Sequence, residues 1–196
     1  MTDPKLPPGK DQIAALEPFE GLGMERIFLV TNERQAEAAF EDLLQAGEVG
    51  FDTESKPTFR KGEQSDGPHV LQFSTTERAY IFQSHVEESL PVIGRLLESA
   101  SIRKIGFGLR GDLSHIWQRF GIRPNAILDL DQSFKKLGYR NPIGAKSAIA
   151  ILFQRRLQKS KRVTTTNWAS RKLSDEQLIY AANDAYAALL VFHALG

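Results

Sequence analysis

From residue 26 onward, short β-type runs alternate with stretches of helical period, and this alternation most narrowly limits what the chain can become. Ile27-Phe28-Leu29-Val30 reads as a strand. Asn32 then N-caps a run in which Ala36, Ala39, Phe40, Leu43 and Leu44 recur on one helical face until Gly47 stops it. Residues 49–54, 70–74 and 79–82 follow as three further strands, the last two joined by a turn at Thr76-Glu77 as a hairpin. Helix resumes over 87–97, residues 104–108 read as a fifth, buried strand, and helix returns at 111–120. Helical patterns at 130–137, 145–153 and 173–194 fill the final third. Antiparallel-capable strands followed by strand–helix alternation predict an α/β fold, a mixed β-sheet flanked by α-helices.

The chain has 196 residues, which suits one domain, placed by this reading at residues 26–196. Residues 1–25 are rich in Pro and Gly and hold no sustained period, so they form an N-terminal arm. Asp3 and the lack of an apolar run argue against a secretory signal. The longest apolar stretches, 148–153 and 187–192, are six residues each against the roughly 20 that span a bilayer, so the expectation is a soluble, cytoplasmic protein with no membrane partner. Residues 55–69 are polar and turn-rich and predict a long mobile loop directly after the second strand, with Phe59 and Arg60 as surface residues on it.

Composition removes several chemistries. There is no cysteine, which excludes disulfide scaffolds, zinc fingers and thiolate nucleophiles. His69, His85, His115 and His193 show no ligand spacing, so any metal must bind through carboxylates. Twenty-five Lys and Arg balance 24 Asp and Glu, so nucleic-acid contact must be local rather than a general basic coat.

Three acidic signals remain. Asp52 and Glu54 lie two apart in an apolar strand and so share one face, where like charges beside a buried sheet are unfavourable without a cation; the alternative is a solvated strand end. Asp112 follows the buried strand at a helix start, where a capping role competes with a functional one. Ser174 with Gln177 forms a capping box that opens the last helix, placing Tyr180 and Asp184 at i and i+4 on one face among alanines. The competing reading is a core helix with Asp184 in solvent. Four carboxylates without thiols favour hard cations, and two of them about 3.5 to 4 Å apart would serve in-line phosphoryl transfer.

Phe51-Asp52-Thr53-Glu54, the segment from Ile105 to Asp112, and the stretch from Leu173 through Asp184 together resemble the three exonuclease motifs of the DEDD superfamily, in that family's order. Tyr180, four residues before Asp184, resembles the DEDDy branch, similar to ribonuclease D and the Werner-type exonuclease domain. The resemblance covers residues 26–195 and implies a ribonuclease-H-like fold and 3′–5′ hydrolysis of DNA or RNA to nucleoside 5′-monophosphates. It implies that Asp52, Glu54 and Asp184 hold one Mg²⁺ or Mn²⁺ ion, and that Asp52 and Asp112, the latter through water, hold a second. It assigns Tyr180 to the attacking water; with a free pKa near 10 a tyrosine is a poor base, so its part is orientation. Ribonuclease D proteins usually carry a further helical domain, whereas this chain ends at Gly196, so a homo-oligomer or partner subunit is expected to supply substrate grip.

Arg155, Arg156, Lys159, Lys161 and Arg162 form the one dense basic cluster, read either as a phosphate contact or as a solvated helix end. Trp168 either packs under the final helix or stacks on a base. The resulting expectation is a metal-dependent exonuclease acting on single-stranded nucleic acid or a frayed 3′ end. A catalytically inactive nucleic-acid-binding module on the same fold is the runner-up, and a two-metal nucleotidase is third.

Overall fold

The computed structural model describes residues 5–58 and 65–196; Phe59 and Arg60 lie outside the described residues. In chain order the elements are α1 (Lys10–Ala14), β1 (Ile27–Val30), α2 (Glu33–Ala46), β2 (Glu48–Glu54), β3 (Val70–Ser74), β4 (Ala79–Gln83), α3 (Leu90–Glu98) and β5 (Arg103–Gly106). They continue with α4 (Arg110–Phe120), β6 (Ile127–Asp129), α5 (Leu130–Lys136), α6 (Ala145–Phe153), α7 (Lys161–Thr164) and α8 (Asp175–Leu195). One six-stranded sheet has the order β1-β4-β3-β2-β5-β6. β2, β3 and β4 pair antiparallel, while β1 on β4 and the β2-β5-β6 side pair parallel. This is the mixed sheet with flanking helices that the sequence pattern predicts.

Local chemistry explains the boundaries. Asn32 Oδ1 accepts from Gln35 N–H at 3.0 Å to open α2, and Gly47 closes it at φ 69°. Alternation along β2 sends Val49 and Phe51 to one face, into a core with Phe73, Phe82 and residues of α2 and α3. Gly50, Asp52 and Glu54 face the other way, toward α8. The fifth strand stops at Gly106, two residues before the sequence expectation, because Gly108 turns the chain at φ 63° into α4. There the Asp129 carboxylate accepts from Gly108 N–H at 2.9 Å and Leu109 N–H at 3.0 Å. That carboxylate ends β6, a three-residue strand too short to carry a period.

Residues 5–25 lie along the domain, held by backbone pairing and by the packing of Phe19 and Leu22. Lys5 bridges Tyr139, Pro18 bridges Arg156, and Leu22 is buried with its N–H donating to Asn183 Oδ1 at 2.7 Å. Among the described residues α8 alone is long and apolar enough to cross a membrane, with a mean hydropathy of 1.4. In the fold it lies across β2 and β3, and half of that stretch is buried.

Lys104 of β5 is fully buried and its Nζ donates to the carbonyls of Leu96 at 3.1 Å and Ser99 at 2.7 Å, closing the C-terminus of α3. Burial pushes its pKa down to about 8. Lys104→Met strands both carbonyls in the interior and should lower unfolding free energy by about 1–3 kcal/mol in a urea titration.

Candidate active site

The site forms where α8 presses against β2. A Cβ built on Gly50 would lie 1.8 Å from the carbonyl oxygen of Ala185, so glycine alone permits this approach. Buried Ala181, Ala182, Ala185 and Ala188 present the matching small surface on the helix. Ser174 opens α8 with a complete capping box: its hydroxyl accepts from Gln177 N–H at 3.3 Å and Gln177 Oε1 accepts from Ser174 N–H at 3.0 Å. From this start, the helix turns Asp184 inward.

Asp52, Glu54 and Asp184 thereby each offer an oxygen, and the three oxygens lie within 4.8 Å of one another. Asp112, in the first turn of α4, stands beside this group rather than in it. Its Oδ1 accepts from Thr53 Oγ1 at 2.5 Å, and its charge is near enough to Asp52 to raise that carboxyl. Tyr180 sits one turn before Asp184, its ring 5.9 Å from that of Trp168 and its hydroxyl accepting from Thr164 Oγ1 at 3.2 Å.

The electrostatics are those of carboxylates crowded out of water. Burial first, then repulsion from Asp184 and Asp112, holds Asp52 well above the usual carboxylate range, against the N–H of Thr53, which donates to it at 2.9 Å. Burial and then the Asp52 and Asp184 charges push Glu54 up to about 9. Asp112 and Asp184 are raised by burial too, opposed by Thr53 in the one case and Lys159 in the other. Burial and then Asp184 raise the Tyr180 hydroxyl, which stays protonated at neutral pH. An added cation would reverse the sign of every one of these carboxylate shifts.

The basic cluster divides: Arg156, Lys159 and Arg162 line one groove, and Arg155 does not. Lys159 leaves the surface: its Nζ sits 2.6 Å from Asp184 Oδ2, with the two side chains 23% and 4% exposed. Burial alone would lower its pKa, but Asp184, Tyr180 and Asp52 outweigh that and raise it. Arg162 pairs with Glu176 at 2.5 Å, Arg155 is exposed, and the Arg156 backbone holds the arm at Pro18. The side chain of Lys161 lies outside the described residues. Trp168 is fully buried with its Nε1–H donating to Thr164 O at 3.3 Å, so it packs under α8 and offers no face for a base. The base-stacking alternative for Trp168 is thereby corrected.

Two features go beyond what the sequence signalled. An open groove of about 810 Å³ runs up to Lys159 and Tyr180, with Lys10, Lys146, Arg156 and Arg162 on its walls. Lys10 and Lys146 come from separate helices, so no charge run announces them. Gln72, the cross-strand partner of Asp52 on the same sheet face, is fully buried with neither side-chain amide atom paired.

Residues 27–196 match the family described as 3′-5′ exonuclease. The chain is 32% identical over 152 residues to a 3′-5′ exonuclease of Arabidopsis thaliana, covering 75% of this chain and 52% of that protein. It is 30% identical over 151 residues to the bifunctional 3′-5′ exonuclease/ATP-dependent helicase WRN of Mus musculus, covering 76% of this chain and 11% of that protein. The chain thus spans about half or less of these two relatives. Its fold is similar to the Aedes aegypti Nibbler EXO domain, with a TM-score of 0.75, 22% identity and coverage of 90% of this chain and 91% of that one. It is similar also to Trypanosoma brucei RNase D in complex with RNA U12, with a TM-score of 0.74, 20% identity and coverage of 94% and 64%. These neighbours have the ribonuclease-H-like fold expected from the sequence. With the family match running from β1 to the last residue, and the fold agreeing, the chain belongs to the 3′–5′ exonuclease family.

Proposed function

We propose that this protein is a two-metal 3′–5′ exonuclease of the DEDDy type that shortens single-stranded nucleic acid from its 3′ end and releases nucleoside 5′-monophosphates. The observation that carries the reading is the convergence of Asp52, Glu54 and Asp184 within 4.8 Å, Asp184 buried and the other two half-buried, each opposing the next one's charge. Such a donor set fits hard divalent ions such as Mg²⁺ or Mn²⁺. Asp52, Glu54 and Asp184 would hold one ion, and Asp52 with Asp112 the other. When bound, the ions activate a water and stabilise charge on the phosphate and on the leaving 3′ oxygen.

The protein's own side chains do the rest. Tyr180, kept protonated, donates a hydrogen bond that orients the attacking water and does not remove its proton. The strand's phosphates run along the cationic groove, and the terminal linkage reaches the carboxylates past Lys159. A nucleic-acid substrate accords with the RNA U12 bound to the Trypanosoma RNase D.

The test is incubation of 5′-labelled single-stranded DNA and RNA with the purified protein in Mg²⁺, Mn²⁺ or EDTA. A metal-dependent ladder shortening from the 3′ end supports the reading. Intact strands that nevertheless shift in a binding assay overturn it in favour of an inactive binding module. Replacing both Lys146 and Arg156 with Ala should flatten the log-affinity against log-salt slope for a single strand by about 1.4, at about 0.7 per phosphate contact, in a fluorescence anisotropy titration.

A further inference from the structure

Lys159 stands at the junction of two regions of opposite charge. On one side its ammonium lies 2.6 Å from Asp184 Oδ2 and 5.5 Å from the Tyr180 ring centre. On the other it lines the groove, among Lys10, Lys146, Arg156 and Arg162. Among the described residues it is the only cation ion-paired to Asp52, Glu54, Asp112 or Asp184. Its backbone is anchored there as well, since its carbonyl accepts from Lys146 Nζ at 3.1 Å.

A divalent ion on Asp184 Oδ2 would sit about 2.0–2.1 Å from it if it is Mg²⁺, which leaves no room for the ammonium now 2.6 Å from that same oxygen. Two like charges on one carboxylate oxygen repel, so the ion and the ammonium compete for it. Displaced toward the groove, the side chain meets four further cations and one carboxylate, Glu176, which Arg162 already holds at 2.5 Å. An anion must receive it.

We propose that Lys159 is a positioning residue that exchanges partners: it neutralises Asp184 until metal binds, then moves to a phosphate of the nucleic-acid strand. Metal and strand therefore strengthen each other's binding by the same factor. This rests on the proposed function, because it takes the carboxylates to be the metal site.

The experiment measures Mn²⁺ affinity by the electron paramagnetic resonance signal of the free ion. It compares wild type, Lys159→Met and Lys159→Gln, with and without a single-stranded oligothymidylate made cleavage-resistant by phosphorothioate linkages. In wild type the oligonucleotide should tighten Mn²⁺ binding by roughly 10-fold, within the usual 5- to 150-fold for linked sites. In either variant Mn²⁺ should bind roughly 10-fold tighter than to wild type without oligonucleotide, and the oligonucleotide should add less than it does in wild type, leaving only the direct contact of phosphate with metal. The same variants should melt earlier than wild type in EDTA and lose that deficit in saturating Mn²⁺. Equal Mn²⁺ affinity in wild type and variants, or an oligonucleotide effect undiminished by the substitution, overturns the exchange while leaving the exonuclease reading standing. No Mn²⁺ binding to any of them overturns both. A wild-type measurement stands apart from the folding of the variants: the NMR resonance of the Lys159 ε-methylene should shift on Mg²⁺ addition, and an unmoved resonance in a metal-loaded protein overturns the proposal.

Discussion

Asp52→Asn should slow 3′-end shortening by at least about 10³-fold, a rise in barrier of about 4 kcal/mol, in a single-turnover assay with Mn²⁺. The argument is one of position. Asp52 is the carboxylate that the proposed function assigns to both ions, and an amide is a far weaker ligand for a hard cation than a carboxylate. The same substitution should leave the melting temperature in EDTA undiminished. Burial, Asp184 and Asp112 all oppose the Asp52 charge in the metal-free protein, so a neutral side chain of equal size removes repulsion. The Thr53 N–H that donates to Asp52 Oδ1 keeps an acceptor in the amide oxygen. A site that gains stability when its charge is removed is held in its charged form for chemistry rather than for folding. If the variant melts well below wild type in EDTA, Asp52 is a structural group and this account of it fails.

Gly50→Ala should destabilise the fold by about 3 kcal/mol or more, read as a lower urea midpoint with an unchanged slope. The added methyl would stand 1.8 Å from Ala185 O and 2.6 Å from its carbonyl carbon, and backbone cannot step aside as a long side chain can. Relief requires α8 to lift from β2, and Asp184 lifts with it. Mn²⁺ affinity should therefore fall together with stability, which separates this position from Gly111, where nothing stands within 4 Å of a new Cβ and an alanine should move neither. A Gly50→Ala protein that keeps both its midpoint and its metal affinity would show that the helix has room the structure denies.

Physics decides which of these features could be read from the chain alone. The period of two makes Asp52 and Glu54 share a face whatever the surroundings, and the capping box fixes the phase of α8, so Tyr180 and Asp184 follow on one side. That β2 and α8 touch is legible only through Gly50 and the alanines, which mark a close approach without naming the partner. Lys159 was legible as a charge but not in its place. It lies in an irregular stretch between α6 and α7, where no period orients a side chain. The groove joins Arg156, Lys159 and Arg162 of the basic run to Lys10 of α1 and Lys146 of α6, so only part of its charge is legible in the sequence. Trp168 shows the converse. An aromatic beside a basic run invites a base-stacking role, and only burial reveals it as core.

The tight seat of α8 on β2 also divides the molecule by how freely it can be revised. Where a helix backbone rests against a glycine, a change of any size is passed undamped to the carboxylates, so the chemistry has almost no neighbouring solutions to drift into. The arm is joined differently: Phe19 and Leu22 pack into the domain and the Leu22–Asn183 clasp holds it, but residues 5–16 are tied mainly by one isolated backbone bridge, and α1 forms one bank of the groove. That bank can be lengthened, recharged or exchanged without disturbing a single strand of the sheet. Under the proposed function, differences in which strands are accepted can therefore accumulate along residues 5–16 while the carboxylate site stays the same.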